Sequence, residues 1–377
     1  MTQEMDVRQA AVMPTYGRAN ITFVRGKGSW LYTQDDTAYL DCASGIAVNT
    51  FGHGDPRLLA ALHEQADKLW HTSNLYRIGE QEKLACRLAT HAGLDHAFFC
   101  NSGVEANEAA VKMARRYQYR QGFEERFKIL CAGGAFHGRT LAMLAATDKP
   151  LFREGFGPMP EGFVHVPFGN LNHLRDAMDE DVAAIMVEPV QGEGGAIAAP
   201  EGYLAGIKKV ADDFGALVIA DEVQTGMGRT GYLFAYQKAG IQPDLVVLAK
   251  GLGGGFPVGG VIARKKIGEA MGRSQDDCWN YTIEIGAILK DAPDAGGWAV
   301  APKLKSLYAI TIDRTTLDRW LKQHRTALLA GTLERPMLDD DGKPEDYADE
   351  IAAIIKAEPM ASDWRVQTEL KLSLIHI

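Results

Sequence analysis

The chain has 377 residues, 46% hydrophobic and 24% charged, which suits a globular protein with room for two domains and a large core. A formal net charge of −9 argues against a nucleic-acid surface, and no apolar run approaches the roughly 18 residues of a membrane span. Residues 1–8 are polar, without the apolar core of a secretory leader, and the five cysteines (42, 86, 100, 131 and 278) form no CxxC pair. Structural zinc, any other bound metal and a disulfide framework are therefore not expected, and a reducing cytoplasm is.

In chain order, Ile21-Thr22-Phe23-Val24 and Trp30-Leu31-Tyr32, joined through Gly26-Lys27-Gly28, predict a small hairpin. Residues 56–70 and 79–91 have helical spacing. Short apolar runs at 97–100, 127–131, 163–166, 183–187, 216–220, 245–248 and 258–263 predict buried strands, with helices over 104–120, 171–179 and 203–214 between several of them. This alternation predicts an α/β fold, with a mostly parallel central sheet covered by helices on both faces and a small N-terminal α+β segment before it. The punctuation then changes. Of the 40 glycines, 34 lie at or before residue 271, so the α/β body is expected to stop there. The expected domains are 1–50 (N-terminal segment), 51–271 (large domain) and 272–377 (an atypical C-terminal tail). Helical spacing recurs at 314–330 and 345–357, with an exposed turn at Asp339-Asp340-Asp341-Gly342. The apolar residues 370–377 read either as a closing strand or as sequence foreign to the native gene.

Several strand-end strings can carry chemistry. Lys250 follows the apolar run Leu245-Val246-Val247-Leu248-Ala249 and precedes Gly251-Leu252-Gly253-Gly254-Gly255. Asp221 ends the run Ala216-Leu217-Val218-Ile219-Ala220 and opens Glu222-Val223-Gln224-Thr225-Gly226. An acid and an amine facing one pocket are what a pyridine-aldehyde cofactor requires: the lysine forms the imine and the acid keeps the ring nitrogen protonated. A low-dielectric pocket lowers an ammonium pKa, which favours the neutral, nucleophilic amine. The bland alternatives are a turn-capping Asp221 and a surface Lys250. Gln224 stands where it can bond a ring hydroxyl. Asn101-Ser102-Gly103-Val104-Glu105 opens a helix after a strand, either as an anion site or simply as an N-cap by Ser102. In Gly134-Ala135-Phe136-His137-Gly138-Arg139-Thr140, Phe136 can stack on a flat ring and Arg139 can grip a carboxylate. Taken alone, Phe136 reads as core, Arg139 as a surface charge, and His137 more as structural than catalytic. In Glu188-Pro189-Val190-Gln191-Gly192-Glu193-Gly194-Gly195, Glu188 reads as a structural acid and Glu193 as a pocket carboxylate. No GxxxxGK[ST], strand–GxGxxG–helix or GxSxG string is present.

Each string alone is unspecific, but their order is not. With Pro14-Thr15-Tyr16, residues 45–54, Ser73-Asn74-Leu75-Tyr76 and the loops above, the chain resembles class III pyridoxal-phosphate aminotransferases from about residue 12 to about 271, most of all the acetylornithine/ornithine branch. The resemblance implies the fold-type-I architecture, a homodimer with active sites at the subunit interface, and pyridoxal 5'-phosphate as cofactor. It implies a cofactor-binding set of Ser102, Gly103, Val104, Phe136, Asp221, Glu222, Val223, Gln224 and Lys250. Gly103 and Val104 would hold the phosphate, Phe136 would stack on the ring, Asp221 would meet the ring nitrogen and Gln224 the ring hydroxyl. Lys250 and Asp221 would be catalytic. Tyr16, Arg139 and Glu193 would bind substrate, with Arg139 on the α-carboxylate. The implied reaction is ping-pong transfer of the terminal amino group of N-acetylornithine to 2-oxoglutarate, giving N-acetylglutamate 5-semialdehyde and glutamate in arginine biosynthesis. Ornithine, succinylornithine or succinyl-diaminopimelate as donor, or an inactive homologue serving as a binding or oligomerisation partner, are the alternatives. After Gly272 the family pattern continues with Ser/Thr-Phe-Gly-Gly-Asn-Pro, whereas this chain reads Arg273-Ser274-Gln275-Asp276-Asp277-Cys278-Trp279-Asn280.

Overall fold

The computed structural model describes residues 11–272 and, beyond them, Leu289, Val300, Leu304, Leu317, Leu321 and Lys322. The chain divides into two compact units, Met1–Gly272 and Arg273–Ile377. Of the helix expected over 314–330, Leu317, Leu321 and Lys322 are described and are helical; the turn at 339–342, the helix at 345–357 and the closing strand at 370–377 lie outside the described residues.

The first unit begins with a three-stranded antiparallel sheet: β1 (Phe23–Lys27), β2 (Trp30–Thr33) and β3 (Ala38–Leu40). The expected hairpin is present, shifted toward its turn. Its third strand escaped the sequence reading because three residues are too few to show a period of two. Helices α1 (Pro56–Lys68) and α2 (Gly79–Ala92) follow. Asp55 accepts the Arg57 and Leu58 N–H groups and Pro56 occupies the first turn, which fixes the start of α1. Gly93, at φ +64°, ends α2.

The body is a seven-stranded sheet in the order β4-β12-β11-β10-β7-β5-β6. Its strands are β4 (His96–Cys100), β5 (Lys128–Ala132), β6 (Phe163–Val166), β7 (Val182–Val187), β10 (Leu217–Asp221), β11 (Leu245–Leu248) and β12 (Gly259–Ala263). A two-stranded ribbon, β8 (Val190–Gln191) with β9 (Ile197–Ala198), interrupts the expected loop after β7. Strand β12 runs antiparallel to both its neighbours. Residues 249–258 are too few for a parallel crossover, so the chain must turn straight back. The carboxyl ends of β4, β5, β7, β10 and β11 therefore share one edge, and β12 starts there.

Both faces of the sheet are covered. Helix α3 (Gly103–Arg120) lays Ala106, Ala110, Val111, Met113 and Ala114 on one face, against Ile129, Cys131, Met186, Leu217, Ile219, Leu245 and Val247. The small alanines let the helix axis approach the strands closely. On the other face α6 (Tyr203–Phe214) packs Leu204, Ile207 and Val210 on Leu130, Ile185 and Val218. There α2 packs Leu88, Ala89 and Ala92 with Ala220, Val246 and Leu248. The alternation Leu217/Val218/Ile219/Ala220 thus divides cleanly between faces. Short helices α4 (Leu141–Ala146) and α5 (Leu171–Asp176) and a closing α7 (Lys265–Met271) complete the unit. Helix α5 ends at Asp176, short of the expected 179. Among the described residues no helix is long and apolar enough to cross a membrane.

Candidate active site

Because the carboxyl ends of the strands share one edge, the loops that follow them converge on one cavity of about 530 Å³. Strands β10 and β11 are neighbours, with Asp221 in register with Val247. The acid that ends one strand and the lysine just past the end of the other are thereby delivered to the same wall.

Asp221 is buried and enters the cavity already bonded. Its Oδ2 accepts from His137 Nδ1 at 2.7 Å and from Asn107 Nδ2 at 2.9 Å, and its Oδ1 accepts the Val223 N–H at 3.0 Å. A carboxylate bonded by three donors in this way is held in one rotamer, with its burial offset by hydrogen bonds. Burial works hardest against a charge on His137, but the bond to Asp221, the Asp221 charge and the nearby Glu188 together raise its pKa above the ordinary value. Two buried polar atoms at this centre, His137 Nε2 and Asn107 Oδ1, have no partner among the described residues. Asn107 also donates to the His137 carbonyl at 2.8 Å, so one amide fixes the acid and the loop beside it.

Lys250 sits in the left-handed region at φ +45°, a strained setting for a residue with a side chain. Burial lowers its pKa below that of an ordinary lysine, and the negative charges of Asp221, Glu193 and Glu188 oppose this only in part. The amine is therefore deprotonated more readily than a surface lysine. Glu188 is buried and accepts the Phe136 N–H at 2.9 Å and the Gly192 N–H at 3.2 Å. Burial, reinforced by the charge of Asp221, pushes its pKa up. It ties two cavity loops together, which is the structural role read for it from sequence.

At the far end of the cavity α3 begins. Ser102 is its N-cap: its Oγ accepts the Glu105 N–H at 3.3 Å and its hydroxyl donates to Glu105 Oε2 at 2.7 Å. The Gly103 and Val104 N–H groups belong to the first turn, where a helix has no internal acceptors, so they are available to an anion. Gly103 is crowded: a Cβ there would stand 3.0 Å from Val223 and 3.3 Å from Ala249. The backbone of Gly138, at φ +139°, presses on Val104, where a Cβ would lie 2.4 Å from Cγ2.

Of the residues singled out from sequence, Tyr16, Ser102, Gly103, Val104, Phe136, Arg139, Glu193, Asp221, Val223, Gln224 and Lys250 all line this cavity. Glu222 does not. Its carboxylate turns away, accepts the Tyr236 N–H at 2.8 Å and the Thr225 hydroxyl, and is raised in pKa by burial. The alternation of the strand carries on into this turn and sends neighbouring acids to opposite sides. The Arg139 guanidinium lies over the Phe152 ring at 4.4 Å, and that ring meets Phe136 edge-on. The Gln224 amide packs on Gly192, where any Cβ would overlap it. Sequence reasoning missed Asn107, whose available signal was a polar residue on the apolar stripe of α3. It also missed the wall formed by Val48, Phe256, Pro257 and Val258. Among the described residues no group of three or more His, Cys, Asp or Glu could hold a metal ion.

Residues 12–279 match the pattern of the family Aminotransferase class-III. The acetylornithine aminotransferase of Rhodobacter capsulatus is 52% identical over 262 residues, covering 70% of this chain and 67% of that protein. The chain belongs to the class-III aminotransferases. Among solved structures, the N-acetylornithine aminotransferase of Stenotrophomonas maltophilia is similar with a TM-score of 0.60 and 35% identity, over 78% of this chain and 77% of that one. The ornithine aminotransferase of Toxoplasma gondii gives 0.69 and 29%, over 72% and 65%. The chain spans about two thirds of the length of the acetylornithine aminotransferases it matches.

Class-III aminotransferases use pyridoxal 5'-phosphate, and the residues present fit that group. The anchored Asp221 suits a protonated ring nitrogen, and the unpartnered atoms of His137 and Asn107 mark a centre built for further polar contact. The first turn of α3 suits a phosphate. Lys250 is an amine of lowered basicity that suits an aldehyde.

Proposed function

We propose that this aminotransferase moves the terminal amino group of N-acetylornithine to 2-oxoglutarate and works as a homodimer. The observation that carries the reading is the buried Asp221, held by His137, Asn107 and the Val223 N–H in the same cavity as Lys250. The choice of donor is supported by the name and 52% identity of the Rhodobacter capsulatus relative reported above.

When bound, pyridoxal 5'-phosphate supplies an aldehyde that takes up an amino group and an electron-withdrawing ring. The chain's own residues would act as follows. Asp221 holds positive charge at the ring nitrogen, and His137 with Asn107 keeps its carboxylate aimed. The Gly103 and Val104 N–H groups fix the phosphate, and Phe136 covers one ring face. Lys250 Nζ, poorly solvated, would take a proton from the carbon that bears the donor amino group and deliver it to the carbon of the cofactor's aldehyde group. Arg139 grips a substrate carboxylate, and Tyr16 and Glu193 bound the space beside it. Homodimerisation is supported by α1, where Leu58, Leu59 and Leu62 are exposed and no residue is buried, and by Trp70, which is 79% exposed just beyond it.

The test is turnover by the full chain with pyridoxal 5'-phosphate and 2-oxoglutarate, comparing N-acetylornithine, ornithine and succinylornithine as donors. The expected result is glutamate formation fastest with N-acetylornithine, and a visible absorbance band that borohydride removes while labelling Lys250. No band and no label would overturn the catalytic reading. A band without turnover would favour a binding or oligomerisation role. Faster turnover with another donor would move the substrate assignment.

A further inference from the structure

The sharpest backbone strain outside the Lys250 loop lies in the turn Ser44–Ala47. Four successive residues have positive φ: 50° at Ser44, 63° at Gly45, 62° at Ile46 and 62° at Ala47. Three of them carry side chains and one is β-branched, so each disfavours the left-handed region. A run of this kind survives only where its surroundings over-determine it. Here Asp41 does so. Its Oδ1 accepts the Ala43 N–H at 3.1 Å and the Ser44 N–H at 2.8 Å, and its Oδ2 meets His53 Nε2 at 2.8 Å. His53 is anchored in turn: its N–H donates to the Gly28 carbonyl at 2.7 Å, and the Gly28 N–H returns a bond to the His53 carbonyl at 2.8 Å.

What the turn delivers is the segment immediately after it. Val48 lines the cavity. The next three residues each lean on a glycine of the Lys250 loop. A Cβ on Gly255 would stand 2.9 Å from Asn49 Oδ1, one on Gly251 would stand 2.8 Å from Thr50 Oγ1, and one on Gly254 would stand 3.3 Å from the Phe51 ring. That loop has its own unusual path, with Lys250 at φ +45°, Gly254 at +57° and Gly255 at +121°. Among the described residues it is closed by local backbone bonds alone, from the Leu252 N–H to the Ala249 carbonyl at 2.9 Å, from the Gly253 N–H to the Lys250 carbonyl at 3.2 Å and from the Phe256 N–H to the Gly253 carbonyl at 3.1 Å.

We propose that the left-handed turn Ser44–Ala47, clamped by Asp41 and His53, is a positioning device that presses Asn49, Thr50 and Phe51 onto the loop carrying Lys250. Its value for catalysis rests on the reading of Lys250 as the cofactor-bearing amine; its mechanical role does not. Asp41, His53 and Ile46 are positioning residues, since they act through the segment that follows them. Without the clamp the turn relaxes toward right-handed angles, the three contacts withdraw, and the glycine-rich loop opens.

The test is amide hydrogen exchange on the full chain, comparing peptides that span 249–256 with a reference peptide over 217–221. In Asp41→Ala the loop amides are expected to exchange roughly 10- to 100-fold faster, the size expected when bonds to a carboxylate are lost, while 217–221 is unchanged. Adding Ile46→Gly to Asp41→Ala is expected to recover most of the protection, because glycine holds positive φ without a Cβ penalty. Affinity for pyridoxal 5'-phosphate should fall and recover in step. Asp41→Asn, which keeps an acceptor for the two N–H groups but drops the charge, should fall between, and it provides the reading if Asp41→Ala does not fold. Loop exchange equal to wild type in both variants overturns the proposal. So does equal acceleration of 217–221, which would show a general loss of stability, or a failure of glycine to rescue. A wild-type chain without turnover, combined with the expected exchange pattern, would overturn the proposed activity and leave the device standing.

Discussion

Replacing His137 with Leu removes the shortest bond to Asp221 and leaves the buried carboxylate with Asn107 Nδ2 at 2.9 Å and the Val223 N–H at 3.0 Å. Both side chains of the pair are sealed from solvent, 0% for His137 and 3% for Asp221. Screening is therefore slight. A hydrogen bond to a charged group contributes about 1.5–3 kcal/mol, and stranding one member of a buried pair costs about 3–5 kcal/mol. Two remaining donors place the expected loss near the lower end of the second range, about 3 kcal/mol. For a unit of this size that is a fall in Tm of roughly 6–12 °C. The pH dependence gives a sharper check. The imidazole pKa is raised in the fold, so the charged pair contributes fully below the ordinary value of 6.5, and its contribution is lost as the pH climbs through the raised value. The gap between wild type and Leu variant, read from urea unfolding of the cofactor-free chain, should be larger near about pH 6 than near about pH 9. A gap that is flat across that range, or that widens with pH, would refute the assignment of His137 as a charge partner of Asp221.

Three further outcomes are expected. Glu222→Gln should grow steadily more stable relative to wild type as the pH rises above 4.5, because burial raises the Glu222 pKa and ionisation then costs stability in wild type alone; parallel pH profiles in denaturant titrations would contradict this. Gly138→Ala should cost about 2–6 kcal/mol in thermal unfolding, from a strained φ of +139° and a Cβ 2.4 Å from Val104, and a near-neutral result would mean that the loop is free to move. Lys250→Met should abolish transamination and also stabilise the cofactor-free chain at neutral pH. The depressed lysine pKa means that wild type loses stability as the pH falls from 10.5 through the lowered value, so a gain that persists above 10.5 would count against the burial argument.

The strands and the strand-end chemistry were legible because both rest on local pattern. A buried strand with helices on both faces needs an unbroken apolar run, as in Val182–Val187, and a functional loop at its carboxyl end needs a polar break. Lys250 and Asp221 stood out as charges at the ends of such runs. What stayed hidden depends on non-local partners. Asn107 is a polar residue on an apolar helix stripe, and its meaning appears only when the end of β10 brings Asp221 within 2.9 Å. Glu222 could not be told from Asp221 by sequence, since neighbours at a strand end differ only in the side to which they point. The reversal of β12 was implicit in the short span 249–258, but its pairing with β4 was not. The left-handed turn Ser44–Ala47 has only one glycine to announce it, and the angles of the other three are imposed by Asp41 and His53.

The two ends of the chemistry are prepared by opposite means. Asp221 is fixed in a buried place by three donors, and Lys250 is made less willing to carry charge by burial, with carboxylates that offset it only in part. An acid and an amine left to themselves in one cavity would pair and quench each other. Here the parallel register of β10 and β11 puts them on a common edge, while His137 and Asn107 take up the Oδ2 atom of the acid and the left-handed backbone at Lys250 directs the amine on its own course. The cost of holding both in place falls on folding rather than on the reaction, which is how a fixed polar site gains over water. Loosening either restraint should therefore weaken catalysis through geometry before it removes any reacting group.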